Sequence, residues 1–307
     1  MTNFSETLFR CHALGNIMTE SRGKSNLDKY NDAVALLAEE NIKYEAIANK
    51  TSKSAFNKMA KIEKIEAEIA ELLPVKDKYE LSDTCKSYLV QSYVLSKYGR
   101  VMEIKVKQMV KGIITEEEAI DMFSVLEKRP YSKNTERIKN PWLIGTPDLY
   151  SGDHVQNSDE IIDIKSCWDI FTFLKNVQEP ESDMYYWQMQ GYLALTGAKI
   201  GTIAYCLLNT PASIVEGEKY NLLRRMDVAT EEDPTFKKEF AVLQANRVFD
   251  DIPMSERLLT YSIERSDEDI ERIYRRVELC REFLGEFEET HLKFSKKYRR
   301  SLHKAAI

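Results

Sequence analysis

No apolar stretch in these 307 residues approaches the ~20 that span a bilayer. The opening Met1-Thr2-Asn3-Phe4-Ser5 begins nothing like a secretory signal. A cytosolic protein without membrane contact is the expectation. Cysteine is sparse, and the five that occur (Cys11, Cys85, Cys167, Cys206, Cys280) form no C-x-x-C pair. Thiols scattered in this way suit a reducing compartment and exclude a zinc or disulfide framework. Also missing is a surplus of basic charge, since 44 Lys and Arg stand against 50 Asp and Glu for a net charge of −6. That balance argues against a protein that coats nucleic acid, whose affinity comes from excess cations. It leaves room for a local basic channel, because distribution matters more than the sum.

What the chain does have is enough apolar content, 43%, for a substantial core. One elaborated domain over residues 1–307 is expected. Its organising stretch runs from Trp142 to Lys165. Gly145-Thr146-Pro147-Asp148 places a carboxylate just after a turn, and Ile161-Ile162-Asp163-Ile164-Lys165 follows fifteen residues after Asp148. Side chains alternate along a strand, so Asp163 and Lys165 share one face while Ile162 and Ile164 enter the core. Charges in an apolar run are costly unless they pair or bind a cation. Two carboxylates converging near strand ends make a hard oxygen site suited to Mg²⁺, and Lys165 would position a nucleophilic water or stabilise a phosphorane-like transition state. The competing reading is an ordinary ion pair on an edge strand.

Elsewhere the patterns are plainer. Phe9 to Met18 reads as a short apolar helix running into a polar turn with Arg22, Lys24 and Ser25; His12 is expected to pack within that helix. Residues 28 to 73 are helical, with Ile62, Ile65, Ile69 and Leu72 at three- and four-residue spacing. Lys50, Lys53, Lys58, Lys61 and Lys64 in this stretch would face DNA or simply solvent. Ser82 caps a helix that stops at Gly99. Lys111 to Ile120 opens a helix whose buried side is marked by Ile113, Ile120 and Phe123, and spacing points Glu116 and Glu117 inward, with Glu118 elsewhere. Ser166 to Phe173 is rich in aromatics, with Phe171 and Phe173 expected in the core. Tyr185 to Gly197 is a helix with Tyr185, Gln188, Tyr192 and Leu195 on one face, and Ile200 to Asn209 is a buried strand. Pro253 to Phe287 reads as helical and charged. The tail from Lys293 to Lys304 carries six basic residues and no acid, which suits DNA contact or disorder.

The ordered set Pro147-Asp148, Asp163-Ile164-Lys165 and a downstream Gln resembles the PD-(D/E)xK nuclease superfamily, and within it phage exonucleases of the lambda-exonuclease and YqaJ-like recombination type. The likeness runs from about Arg10 to Asn209. It implies an α/β restriction-endonuclease-like core, a central mixed sheet flanked by helices, over residues 82–210. Residues 28–80 would be an inserted helical hairpin and residues 250–307 a helical extension with a basic tail. By resemblance the catalytic set is Glu116, Asp148, Asp163, Lys165 and Gln188, with Asp148, Asp163, Ile164 and Glu116 holding the metal. Glu116 is preferred over Glu117 because a glycine, Gly112, stands four residues ahead of it and an alanine, Ala119, three after. Gln190 is the second candidate for the glutamine. Arg22, Lys24 and Ser25 match the place where the family holds a 5′-phosphate.

The activity implied is that of a Mg²⁺-dependent DNA exonuclease, with Mn²⁺ as a substitute, that degrades one strand of linear duplex from double-stranded ends, 5′ to 3′, in phage-type recombination. The implied setting is the bacterial host cytoplasm, and the implied partners are a single-strand annealing protein and further copies of the chain in a trimer. An iron–sulfur cluster, held by C-terminal cysteines in some RecB-type nucleases, is not expected, because only Cys280 lies in the last hundred residues. The alternatives are an endonuclease or RecB-like nuclease module of the same fold and, in a different class, a catalytically silent DNA-binding module.

Overall fold

The strand that carries Asp163 and Lys165 lies inside a four-stranded sheet and decides where everything else sits. The computed structural model of the chain describes residues 2–76, 80–102, 106–178 and 182–305, with side chains described as far as residue 294. Two compact units result, one of Met1–Met18 with Leu89–Ile307 and one of Thr19–Tyr88.

In the larger unit, β1 (Phe9–Arg10), β2 (Ile138–Lys139) and β3 (Leu143–Gly145) form a small sheet in the order β1-β3-β2. β1 runs parallel to β3 and β2 antiparallel to it. β4 (Leu149–Ser151), β5 (Glu160–Ser166), β6 (Ile200–Cys206) and β7 (Leu258–Glu264) form the larger sheet in that order. β5 and β6 are parallel, while β4 and β7 run antiparallel to them at the edges. A β-branched run such as Glu160–Ser166 favours a strand covered on both faces.

The helices of this unit are α1 (Leu14–Ile17), most of α4 (Asp83–Tyr98), α5 (Lys107–Ile114), α6 (Glu116–Leu126), α7 (Ile170–Gln178), α8 (Asp183–Thr196), α9 (Ala212–Met226), α10 (Pro234–Ala245) and α11 (Asp267–Ala305). Ile162 and Ile164 on one face of β5 join Ala204, Cys206 and Leu149 in a core closed by Ala119, Ile120, Met122 and Phe123 of α6. Burying side chains of this size is worth ~1.5–3 kcal/mol each. The opposite face, with Asp163 and Lys165, belongs to α8. α8 also meets α1 almost backbone to backbone. A Cβ on Gly191 would lie 2.4 Å from Leu14 Cδ1, and one on Gly15 would lie 2.7 Å from the Cα of Met184. α11 ties down the chain's beginning: Arg281 donates to the carbonyls of Thr7 and Pro141, and Arg276 to that of Ile17.

The smaller unit is built on α2 (Asn26–Glu45) and α3 (Lys53–Leu72), packed together as a helical hairpin. Ser25 caps α2, its hydroxyl accepting from the Asp28 N–H while the Asp28 carboxylate accepts from the Ser25 N–H. Buried Glu40 gathers Lys58 at 2.6 Å, Lys43 at 3.2 Å and Lys61 at 3.3 Å. Lys50 donates to Tyr44 O at 2.7 Å. Of the five lysines read as DNA-facing candidates, Lys50, Lys58 and Lys61 are therefore occupied within the hairpin.

Several local expectations are corrected. The segment from Phe9 begins as a strand and a 3-10 turn (Cys11–Ala13), and only Leu14–Ile17 is α-helical. Lys111 to Ile120 is not one helix. Thr115 breaks it, its hydroxyl donating to Lys111 O at 2.9 Å and accepting from the Ser166 hydroxyl at 3.0 Å. Ile113 is 73% exposed, because the break turns α5 away from the register that Ile120 sets, and Glu117, in the first turn of α6, is exposed as well. Phe171 is 71% exposed whereas Phe173 is buried. The span from Pro253 to Phe287 is not wholly helical: Leu258–Glu264 is the edge strand β7, its alternation of Leu, Tyr and Ile with polar residues suiting one covered face. The backbone of the basic tail continues α11 to Ala305; the side chains of Lys296, Lys297, Arg299, Arg300 and Lys304 lie outside the described residues.

Candidate active site

Asp148 sits in the short connection from β3 to β4, at the point where β4 has not yet paired with β5. Its Oδ2 accepts the N–H of Ile164 at 2.8 Å, taking the bond that a longer β4 would have made. Asn134, buried, holds this connection in place: its N–H donates to Asp148 O at 2.8 Å and its amide to Pro147 O at 2.9 Å. Pairing of Leu149 with Ile162 brings Asp148 level with Asp163 on the neighbouring strand. In an antiparallel pair the N–H and C=O of one residue share an edge, so the Ile164 carbonyl faces the same side as its N–H. The Ile164 side chain is in the core, and only its main chain is able to serve a metal.

Asp163 is 2% exposed and both its oxygens are engaged, Oδ2 by Lys165 Nζ at 2.5 Å and Oδ1 by Gln188 Nε2 at 3.0 Å. Gln188 also donates to the Tyr192 hydroxyl at 3.3 Å and accepts from Lys165 at 3.5 Å. The Lys165 ammonium lies 4.8 Å from the centre of the Tyr185 ring. Gln188 is thus the amide that locks the Asp-x-Lys pair, as the face shared by Tyr185, Gln188 and Tyr192 leads one to expect. Gly145 permits this closeness, since a Cβ there would come within 2.8 Å of both the Tyr192 ring and Cys11 Sγ.

These residues line one cavity of about 530 Å³ together with Glu116, Ile164, Ser166 and, at its rim, His12, Gln108, Met109 and Ile113. Glu116 reaches it from the first turn of α6 and is paired with Lys133 at 2.6 Å. Glu117 is not among the lining residues. Gln190 is fully buried away from the cavity, donating to Glu264 O at 2.8 Å and accepting from Ser266 N at 3.0 Å, and so fastens α8 to the end of β7. Arg22, Lys24 and Ser25 lie in the smaller unit. Ser25 is occupied as the cap of α2 and Lys24 is paired with Asp32, while Arg22 is exposed and uncommitted. His12, expected to pack within a helix, is instead exposed at the cavity rim.

The electrostatics follow from putting three carboxylates in one hole. Burial of the Asp148 carboxyl, reinforced by the Asp163 charge and eased by Lys165, pushes its pKa up from 3.8 to about 7. For Lys165, burial works to lower the pKa, but the Asp163 charge and hydrogen bond outweigh it and the net shift is upward. An all-oxygen donor set with one carboxylate held partly protonated fits a hard divalent cation, whose charge would relieve the repulsion. Among the described residues no three His, Cys, Asp or Glu side chains are gathered into a ready-made cage.

Sequence reasoning did not single out Asn134, which holds the Asp148 connection, or Lys133, which pairs with Glu116. Both precede a recognised motif and act on it across a loop, and locally Asn134 reads only as the start of a turn, its Oδ1 accepting from the Glu136 N–H at 3.0 Å.

No protein-family model matches the chain, and no curated protein does. Among solved structures, a phage-related exonuclease from Haemophilus somnus 129PT is similar, with 21% identity, a TM-score of 0.60, and 94% of this chain and 98% of that one covered. An alkaline exonuclease from Laribacter hongkongensis, LHK-Exo, gives 17% identity and a TM-score of 0.46 over 72% of this chain and 87% of that one. Its complex with dAMP gives 18% identity and the same TM-score over 74% and 90%. Over nearly its whole length, then, the chain has the mixed α/β fold of the Haemophilus exonuclease structure.

Proposed function

We propose that this chain is a Mg²⁺-dependent DNA exonuclease that removes one strand from the ends of linear duplex, 5′ to 3′, in recombination of the phage type. The observation that carries the reading is the meeting, in one cavity, of Asp148, Asp163, Lys165, Gln188 and Glu116, which the sequence scatters over more than seventy positions. The likeness of fold to an exonuclease is in keeping with it.

Asp148, Asp163, Glu116 and the Ile164 carbonyl are the residues that would hold the ion. When bound, Mg²⁺ supplies a water of lowered pKa and a counter-charge for the reacting phosphate. Lys165, fixed by Asp163 and by the Gln188 amide, orients the attacking water and stabilises charge building on the phosphoryl oxygens. Gln188 supports both partners, and its own amide is steadied by Tyr192. Asn134 keeps Asp148 from drifting off the edge of β5.

End-labelled linear duplex incubated with Mg²⁺ tests the reading directly. Label is expected to be lost from the 5′ end, closed circles should survive, and Ca²⁺ should not substitute. Asp163→Ala and Lys165→Ala should abolish cleavage while DNA binding stays within about threefold, because removing machinery used only in the transition state lowers kcat rather than ground-state binding. Cleavage by Asp163→Ala at the wild-type rate would sink the site assignment. Cutting of closed circles would move the protein to the endonucleases.

A further inference from the structure

The roles given above leave two polar side chains at the cavity rim without a task, His12 and Gln108. Neither hydrogen-bonds to any other described residue through its side chain. The lysines beside the carboxylates are occupied, Lys165 by Asp163 and Lys133 by Glu116. A DNA strand nevertheless has to bring its phosphates to a hole lined with three carboxylates. Oxygens not met by a metal ion need donors that the carboxylates have not already claimed.

His12 is placed to be one. It projects from the 3-10 turn that follows β1, on a segment pressed against α8 through Gly191 and Gly15 and so fixed relative to Gln188. Burial first, then the charges of Arg10 and Lys165, keep its pKa below the usual value, so at neutral pH the ring has one N–H to give and one nitrogen to accept with. That single N–H is enough for one phosphate oxygen. Arg10, two residues earlier, is exposed and makes no ion pair among the described residues; its charge is felt at His12 and favours the approach of a phosphate.

We propose that His12 is a substrate-binding residue whose imidazole donates its N–H to a non-bridging phosphate oxygen of the strand entering the cavity, with Arg10 adding attraction from behind. This rests on the nuclease reading, and the two are tested apart by measuring binding in Ca²⁺ and cleavage in Mg²⁺. Duplexes carrying a single neutral methylphosphonate at successive positions from the end are titrated with wild type, His12→Ala and His12→Gln. A hydrogen bond to a charged oxygen predicts that His12→Ala weakens Kd and raises KM roughly tenfold to a hundredfold with little change in kcat. At one position the methylphosphonate should cost wild type the same factor and cost His12→Ala almost nothing. His12→Gln, which keeps an N–H donor, should recover part of the loss, whereas a purely structural role would give no position-specific coupling. If wild type cleaves but the two changes act independently at every position, or His12→Ala binds as wild type does, the assignment of His12 is overturned. If the coupling appears in Ca²⁺ binding and nothing is cleaved in Mg²⁺, His12 stands and the nuclease reading falls.

Discussion

At the scale of single residues, Asp148 shows what the cavity asks of the fold. Its carboxyl titrates near 7 when folded and at the ordinary 3.8 when exposed. Between those values the folded chain holds a proton that the unfolded chain has released, so stability falls as pH rises through the window and levels off above it. Asp148→Asn removes the titration and leaves an oxygen to accept the Ile164 N–H. In metal-free buffer at pH 8 the variant should therefore melt higher than wild type, with the gap closing toward pH 4. Addition of Mg²⁺ should reverse the order, because only the carboxylate gains from the ion. A variant that melts lower at pH 8 without metal would show that the charged form is not strained.

Among elements, α1 against α8 is the contact most exposed to a single methyl group. Gly191→Ala puts a Cβ 2.4 Å from Leu14 Cδ1 and 3.2 Å from Cys11 Sγ. Overpacking of this kind costs ~1–3 kcal/mol. The expected outcome is a lowered Tm together with lost activity, since Gln188 sits less than one turn away on the same helix. Gln190→Ala, which loosens α8 at β7 instead, offers a comparison within the same element. An unchanged Tm for Gly191→Ala would mean that the two helices have room to part.

How much of this could be read in the sequence also depends on the element. The Asp-x-Lys strand and the Gln188 helix were legible because each writes its own period, two in one and about 3.6 in the other, with polar residues interrupting an apolar face. Ile113 was misread because the helix resets at Thr115 and the register drawn from Ile120 does not reach back across the break; Glu117, after the break, is exposed in the first turn of α6. β7 was missed because a seven-residue strand preceded by a turn and followed by a 39-residue helix is outweighed by charge and helical period around it. Asn134 and His12 were hidden for a different reason. Each acquires its place from pairing with residues far along the chain, and nothing local announces it.

For the whole molecule, the division at Tyr88 sets the one remaining part of the functional reading apart. Of the three residues read as a 5′-phosphate cradle, Ser25 caps a helix and Lys24 is paired, so Arg22 carries the hypothesis alone. A guanidinium binds a terminal phosphate bidentately. Loss of such a contact is worth roughly tenfold to a hundredfold in preference for phosphorylated ends. Arg22→Ala should slow digestion of 5′-phosphorylated duplex toward the rate on 5′-hydroxyl duplex and leave the latter unchanged. Equal digestion of both ends by wild type would remove Arg22 from the site.

The pairing of β1 with β3 joins Phe9 to Leu143, and α1 rests on residues near Met184 and Gly191. On the ribosome residues 1–18 emerge before the segments that hold them. At ~5–20 residues per second, their partners on α8 arrive on the order of ten seconds or more later. The hairpin of α2 and α3, which pack against each other, has long since been synthesised by then. Here the order of synthesis is the reverse of the order of placement: the segment that carries His12 to the rim is translated well before α8 and is among the last to find its seat.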